Sequence, residues 1–476
     1  MPRKNKGNFA VIGGGIAGTC IAELIAKKGF NITLFEKSKT LGGCAGSFTR
    51  DGYTFNTAAT TIAGLLEGYS VREILEEFKL TNLIEIEDPS IVVHTEKGRV
   101  NRYQSIERTV EEINKVFPHR RNKEFWRDVK AVTEEILKYG FYHNFSTLRD
   151  GLLSFYRMRR LIYKYYRLFL KPAIEGLKDY FSSIDREYLR FMDSHVKIVA
   201  QSSIENVNMV TLFLSLGYPF TGVGYAKNGM GEIVKEIAKN FSYHLNSEII
   251  SVSKNADGFK LKGAFGEERF DNLIIAMPIL ESLNILQDSK IKAYFEKYLS
   301  FQTDNSAIVA YGVLENFYPE NTFHLTILRK CLPYTTSPYL FFSFFPAEKN
   351  KGECVFTVST HTSINYWHGL KREDYENRKQ NTHLGIIENL LEFFPVKREN
   401  IKMSFLSTPE TFYRYLGRRS VGGIPITLKN TFWRIPSNFT PFHNLYLVGD
   451  SFFCYQGWIG ITMGIKNLIG KIGEQV

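Results

Sequence analysis

Phe9-Ala10-Val11-Ile12-Gly13-Gly14-Gly15-Ile16-Ala17-Gly18-Thr19 is the stretch on which the fold of this chain turns. Phe9 to Ile12 read as a short buried strand, and the G-x-G-x-x-G pattern from Gly13 to Gly18 follows without a break. A helix is predicted from Thr19 to Lys28 and a second strand from Asn31 to Phe35, which ends in Glu36, eighteen residues beyond Gly18. In a strand–turn–helix of this kind Gly13 makes the tight turn, Gly15 lets the backbone approach a pyrophosphate, and Gly18 packs helix against strand. The helix start offers unpaired N–H groups and the positive end of its dipole to phosphates, while the acid accepts hydrogen bonds from an adenosine ribose. Ile16, Ala17 and Lys37 belong to the same cradle. Strand, glycines, helix and acid together predict a nucleotide site rather than a merely structural glycine turn.

A second glycine cluster, Leu41-Gly42-Gly43-Cys44-Ala45-Gly46, follows Glu36. A plain NAD dehydrogenase has no need of it, whereas a bulky flavin lying along the chain needs close backbone approach in a second place, so the cofactor expected is FAD. Near the other end, a strand from Asn444 to Val448 runs into Gly449-Asp450-Ser451, and Gln456-Gly457 opens a final helix from Trp458 to Ile472. Asp450 is expected to bind the ribityl or pyrophosphate region. The helix start at Gly457, Trp458 and Ile459 is placed to stabilise negative charge on a reduced flavin.

These motifs, with Arg50-Asp51-Gly52-Tyr53-Thr54-Phe55 and Thr408-Pro409-Glu410-Thr411 before Arg414-Tyr415-Leu416, resemble the phytoene desaturase, carotenoid isomerase and retinol saturase family of FAD-dependent oxidoreductases. Two positions depart from that pattern. Asn56-Thr57-Ala58 stands where Asp and then Gly are usual, and Cys44 follows the glycine pair where Arg or Ser is common. The resemblance implies an α/β fold: a Rossmann-like FAD-binding domain of GR2 type and a second, substrate domain of mixed β-sheet with a helical cap. The FAD domain is then assembled from residues 1–80, 226–280 and 426–476, the substrate and helical-cap region from 81–225 and the sheet of the substrate domain from 281–425. The strand near Ile249 leads back to the nucleotide domain and adds Ile249 to the expected cofactor-binding residues. Gly222-Val223-Gly224 with Gly229-Met230-Gly231 has the wrong spacing for a second dinucleotide site, so no nicotinamide site is expected. The implied chemistry is desaturation, saturation or cis/trans isomerisation of an apolar polyene or isoprenoid.

Two other readings stay open. One is an FAD-dependent oxidase of the amine or protoporphyrinogen type. The other, of a different class, is a non-catalytic carrier of the same fold that binds a prenylated partner.

Length and composition agree with two or three globular domains: 476 residues, 44% hydrophobic and 23% charged. The net charge of +11 favours an anionic partner. Cys20, Cys44, Cys331, Cys354 and Cys454 form no CxxC pair, which points to reduced, cytoplasmic thiols and to neither a zinc site nor a disulfide framework. The basic N-terminus gives way to glycines too soon for an export leader, and no run of 18 apolar residues occurs, so membrane contact is expected to be peripheral.

Between Asp150 and Glu175 no acid occurs, while Arg157, Arg160, Lys164, Arg167 and Lys171 recur at helical spacing beside Met158, Leu161, Ile162, Tyr165, Leu168 and Phe169. A helix over 155–171 lying on an anionic membrane is the expectation, against a solvated basic face over a core-packed helix. No nucleic-acid module accompanies the charge. Of 68 aromatic residues many fall in the strand-like region 307–359, notably Tyr339-Leu340-Phe341-Phe342-Ser343-Phe344-Phe345, where one face of a sheet is expected to wall a cavity for a long apolar ligand. The histidines show no metal-ligand spacing, no nucleophile motif is present, and no side chain stands out as a catalytic acid or base. The oligomeric state is not legible.

Overall fold

The computed structural model describes residues 7–139, 142–347, 352–430, 434–453 and 456–474; Cys454 lies outside them. Stretches far apart in the chain build one five-stranded parallel sheet in the order Ser242–His244, Ile32–Phe35, Phe9–Ile12, Asn272–Ile275, Leu445–Leu447. Val11 is in register with Leu34 on one side and Ile274 on the other. All four residues of Phe9–Ile12 are buried, as a continuous apolar run must be when both faces of a parallel sheet are covered. Phe9 and Val11 face the helices Ile16–Lys27, Met230–Ile237 and Gly457–Glu474. Ala10 and Ile12 face the antiparallel sheet Ile249–Asn255, Gly258–Gly263, Gly266–Phe270 through Phe259, Leu261 and Phe270. Gly222 to Gly231 form no cradle: Val223–Ala226 pairs antiparallel with Ile84–Glu87, and the helix after it packs behind the nucleotide sheet.

A second, seven-stranded sheet is mixed. Its order is Ile401–Ser407, Asn305–Glu315, Glu353–Ser363, Tyr339–Pro346, Phe323–Ile327, Ile91–Thr95, Gly98–Arg102, and only Phe323–Ile327 with Ile91–Thr95 is parallel. The period-2 alternation sorts the phenylalanines. Leu340, Phe342 and Phe344 are fully buried under the helix Arg372–Phe393 with Phe356, Val358 and Leu390. Tyr339 and Phe341 point to the opposite face, against the core formed with the cap helices.

Helices Ile106–Val116, Asn122–Tyr139, Leu148–Leu170, Arg186–Ala200 and Met209–Gly217 form the cap around one apolar core. At its centre Arg102 is fully buried, with no carboxylate paired to it among the described residues. It stacks on the Trp126 ring at 4.4 Å and donates to Leu216 O at 2.6 Å, with His195 Nε2 2.9 Å from its Nη1. Met158, Leu161 and Tyr165 of Leu148–Leu170 are buried in this core, with Ile162, Leu168 and Phe169 packed against it. The apolar stripe that the sequence assigns to a membrane is therefore turned inward, because it is the surface available to cover Phe213 and its neighbours on Met209–Gly217. Among the described residues no helix is long and apolar enough to cross a membrane.

Candidate flavin site and substrate cavity

Gly13 has φ +109°, and a Cβ there would lie 2.7 Å from Ala276 O, so the turn out of the first strand requires glycine. A Cβ on Gly18 would lie 2.0 Å from Gly13 O. That missing side chain is what lets the helix lean on the strand. Gly15 differs from both: its backbone is ordinary, φ −66° and ψ 174°, and its absent Cβ would meet nothing within 4 Å. The helix begins at Ile16, earlier than the sequence suggests, with Gly15 as an N-cap that provides no side-chain hydrogen bond. Its first N–H groups are left to face open space, the arrangement that receives an anion.

That space is one end of a cavity of about 1140 Å³. Of the residues the sequence assigns to the cofactor, Gly13, Gly15, Ile16, Ala17, Glu36, Lys37, Gly42, Gly43, Ile249, Gly449, Asp450, Gly457, Trp458 and Ile459 line it; Gly18 does not, lying behind the turn. Glu36 accepts from Gly14 N at 2.6 Å and Ser38 N at 2.8 Å, which orients its carboxylate at the end of the second strand with lone pairs left over for a ribose.

The sequence reading missed a loop that closes over this end. Arg418 donates from Nη1 to Asp450 Oδ2 at 2.9 Å and from Nε to Ser420 O at 2.6 Å. Burial works against the guanidinium charge, but Asp450, Cys44 and Glu281 outweigh it and hold the Arg418 pKa above its ordinary value. Burial pushes the Glu281 carboxyl up, and the Cys44 thiol likewise. The signal was present: Gly422 and Gly423, at φ +102° and +78°, make the pair Gly-Gly recur just after the Arg414-Tyr415-Leu416 segment already singled out.

Three buried polar atoms lining this end have no hydrogen-bond partner: Glu281 Oε2, Arg418 Nη2 and Trp458 Nε1. Each costs about 1–3 kcal/mol if nothing fills the space beside it. A dinucleotide with phosphate acceptors, ribose and ribityl hydroxyls and a polar ring edge meets donors and acceptors of this kind, so the residues fit FAD. When bound, FAD supplies hydride and electron transfer. Backbone N–H groups at Gly15 and Gly457 and the side chains of Glu36, Asp450 and Arg418 are the cavity groups that would hold it.

The opposite wall comes from the second sheet and the cap: Val309, Leu325, Tyr339 and Phe341 from the strands, Ile198 and Val199 from Arg186–Ala200. Tyr339 is fixed by donating to Asp193 Oδ2 at 2.6 Å. Of the rings expected to wall the cavity, Phe342 and Phe344 lie behind the sheet instead, and Phe345 packs on Tyr225 at 5.3 Å. Two polar atoms on the wall are also buried and unpartnered, His361 Nδ1 and Gln302 Nε2. Burial, followed by the nearby Lys197 charge, lowers the His361 pKa to about 3 and keeps its ring neutral. No group of His, Cys, Asp and Glu among the described residues is arranged to hold a metal ion.

A Rossmann-like cradle and a mixed sheet facing each other across one cavity define an FAD-dependent oxidoreductase. The family profile of flavin containing amine oxidoreductases matches residues 16–451, and the chain belongs to that family. It is 26% identical to prolycopene isomerase 1, chloroplastic, of an Oncidium hybrid cultivar over 95% of this chain and 81% of that protein. It is 41% identical to a 4,4'-diapophytoene desaturase of Staphylococcus aureus (strain COL) over 54 residues, 11% of each chain. Among solved structures, an engineered putrescine oxidase superposes with a TM-score of 0.68 over 99% of both chains at 13% identity, a likeness of fold. The carotenoid desaturases and isomerases are thus homologues, and the non-catalytic carrier reading gives way to an enzyme.

Proposed function

We propose that this chain is an FAD-dependent enzyme that isomerises a carotenoid-type polyene between cis and trans forms. The observation that carries the reading is the continuity of the cavity: one space of about 1140 Å³ joins the phosphate cradle to an apolar wall of Val309, Leu325, Phe341, Ile198 and Val199. An isoprenoid polyene buries apolar surface there, at about 25 cal/mol per Å², and asks for no acid or base from the wall. Isomerisation is preferred over desaturation because the likeness that spans 95% of the chain is to prolycopene isomerases, while that to the desaturase stops at 54 residues. The protein's work is then to hold the chain against the flavin, exclude water and keep the polyene in register between Phe341 and the cradle.

The test compares apoprotein and FAD-loaded protein, reduced and kept free of oxygen, on poly-cis carotenoids in liposomes, with isomers separated by chromatography. Conversion by the loaded protein alone supports the reading; no new isomer from any candidate polyene refutes it. One observation favours a second reading. The unpartnered His361 Nδ1 and Gln302 Nε2 suit a substrate carrying an oxygen or nitrogen, as an oxidase of the amine type would take. Hydrogen peroxide released from amines but not from polyenes would select it.

A further inference from the structure

The helix Leu148–Leu170 carries three stripes, not two. At about 100° per residue, Met158, Leu161 and Tyr165 centre on the core side, and Arg149, Arg157, Arg160, Lys164 and Arg167 form a band beside them. Beyond that band lies a second apolar stripe that faces away from the protein. Leu148 is 85% exposed, Leu152 64%, Tyr156 63%, Tyr163 84% and Leu170 66%, with Tyr166 and Arg159 among them. Large apolar side chains at such exposure are unremarkable singly; several along one 23-residue helix form a patch.

The charge beside the patch is mostly unneutralised. Lys164 pairs with Glu135, whose carboxylate also feels the Arg160 charge, but among the described residues Arg149, Arg157, Arg159, Arg160 and Arg167 make no ion pair within 4 Å. Several instead lie against tyrosine rings: Arg157 over Tyr142 at 4.1 Å, Arg159 over Tyr156 at 4.1 Å, Arg167 over Tyr166 at 5.8 Å. Tyrosine and leucine in one stripe with arginine along its flank match the boundary between acyl chains and anionic headgroups, where ring and guanidinium are both at home.

We propose that the outward face of Leu148–Leu170 seats the protein on an anionic lipid surface, with Leu152, Tyr156, Tyr163 and Leu170 entering the headgroup region and Arg159, Arg160 and Arg167 binding lipid phosphates. A second copy of the chain is the competing occupant, and it is disfavoured because two such faces would bring their unpaired arginines together.

The purified, FAD-loaded protein is sedimented with vesicles of phosphatidylcholine alone and with vesicles containing phosphatidylserine. It is expected to bind the anionic vesicles preferentially. Arg159→Gln/Arg160→Gln/Arg167→Gln should weaken that binding on the order of 100-fold, about fivefold per charge near the surface. Tyr156→Ser/Tyr163→Ser/Leu170→Ser should weaken it to both vesicle types, while melting and FAD content stay at parent values because every changed residue is exposed. Equal binding to neutral and anionic vesicles, or parent-like binding by the arginine variant, overturns the proposal. So does a dimer in analytical ultracentrifugation that the tyrosine variant converts to monomer. No substrate enters these readings, so they stand or fall apart from the proposed reaction.

Discussion

Gly15→Val isolates what the cradle does. Gly15 sits at φ −66° and ψ 174°, a conformation open to any residue, and a Cβ there would meet nothing within 4 Å. Valine therefore strains no backbone and displaces no neighbour in the apoprotein, whose stability should shift by no more than about 0.5 kcal/mol. Its branched side chain instead occupies the space in front of the uncapped helix start, where phosphate oxygens of a bound dinucleotide would accept from backbone N–H groups. Losing two such charge-assisted hydrogen bonds, at roughly 1.5–3 kcal/mol each, raises the FAD Kd on the order of a hundred- to ten-thousandfold. Calorimetric titration of apoprotein with FAD, next to a thermal melt, reads both quantities. Gly18→Ala is the contrast: its Cβ would lie 2.0 Å from Gly13 O, so it should lower the melting temperature before any ligand is added. If Gly15→Val holds FAD within about threefold of the parent, the placement of the pyrophosphate is wrong.

Phe342→Ala should cost about 3–5 kcal/mol in urea unfolding, since the ring is fully buried beneath Arg372–Phe393, whereas Phe341→Ala should cost less and act mainly on the KM for polyene; equal stability losses would contradict the assignment of the two faces. Asp450→Ala strands the Arg418 guanidinium, paired at 2.9 Å with both side chains largely buried, and should cost roughly 3 kcal/mol even without FAD; an unchanged unfolding midpoint would show that the ion pair does not matter. Burial, then the Arg102 charge, lowers the His195 pKa to about 3, and burial depresses both His94 and His324. Each folded pKa lies below the ordinary value near 6.5, so their neutral state supports the fold above that pH, and stability should fall on acidification below it by about 1.4 kcal/mol per histidine per pH unit. A melting temperature flat from about pH 6.5 to 4.5 would contradict this.

The cradle was legible because its parts are local. Gly13, Gly15, Gly18 and Glu36 are spaced by one strand, one turn and one helix, and each acts through its own backbone or a neighbour's. Arg418 was not, since its importance arises from meeting Asp450, 32 residues on, and Cys44, from the other end of the chain, in one buried cluster. The same limit explains the helix Leu148–Leu170. Its periodicity marks a helix and a basic band, but with apolar residues on two sides of that band only the surrounding cap decides which side is core. In Tyr339–Pro346 the alternation separates two faces, and the choice of Phe341 for the cavity and Phe342 for the core belongs to Arg372–Phe393, which covers one of them. Arg102 carried no mark in the sequence; its meaning comes from Trp126 and His195, which sit on two other elements that the cap brings around it.

The most direct measurement is the mass of the product formed when FAD-loaded, reduced protein meets a poly-cis carotenoid without oxygen. An unchanged mass with a new double-bond geometry is the predicted result, and the gain or loss of two hydrogens would contradict isomerisation.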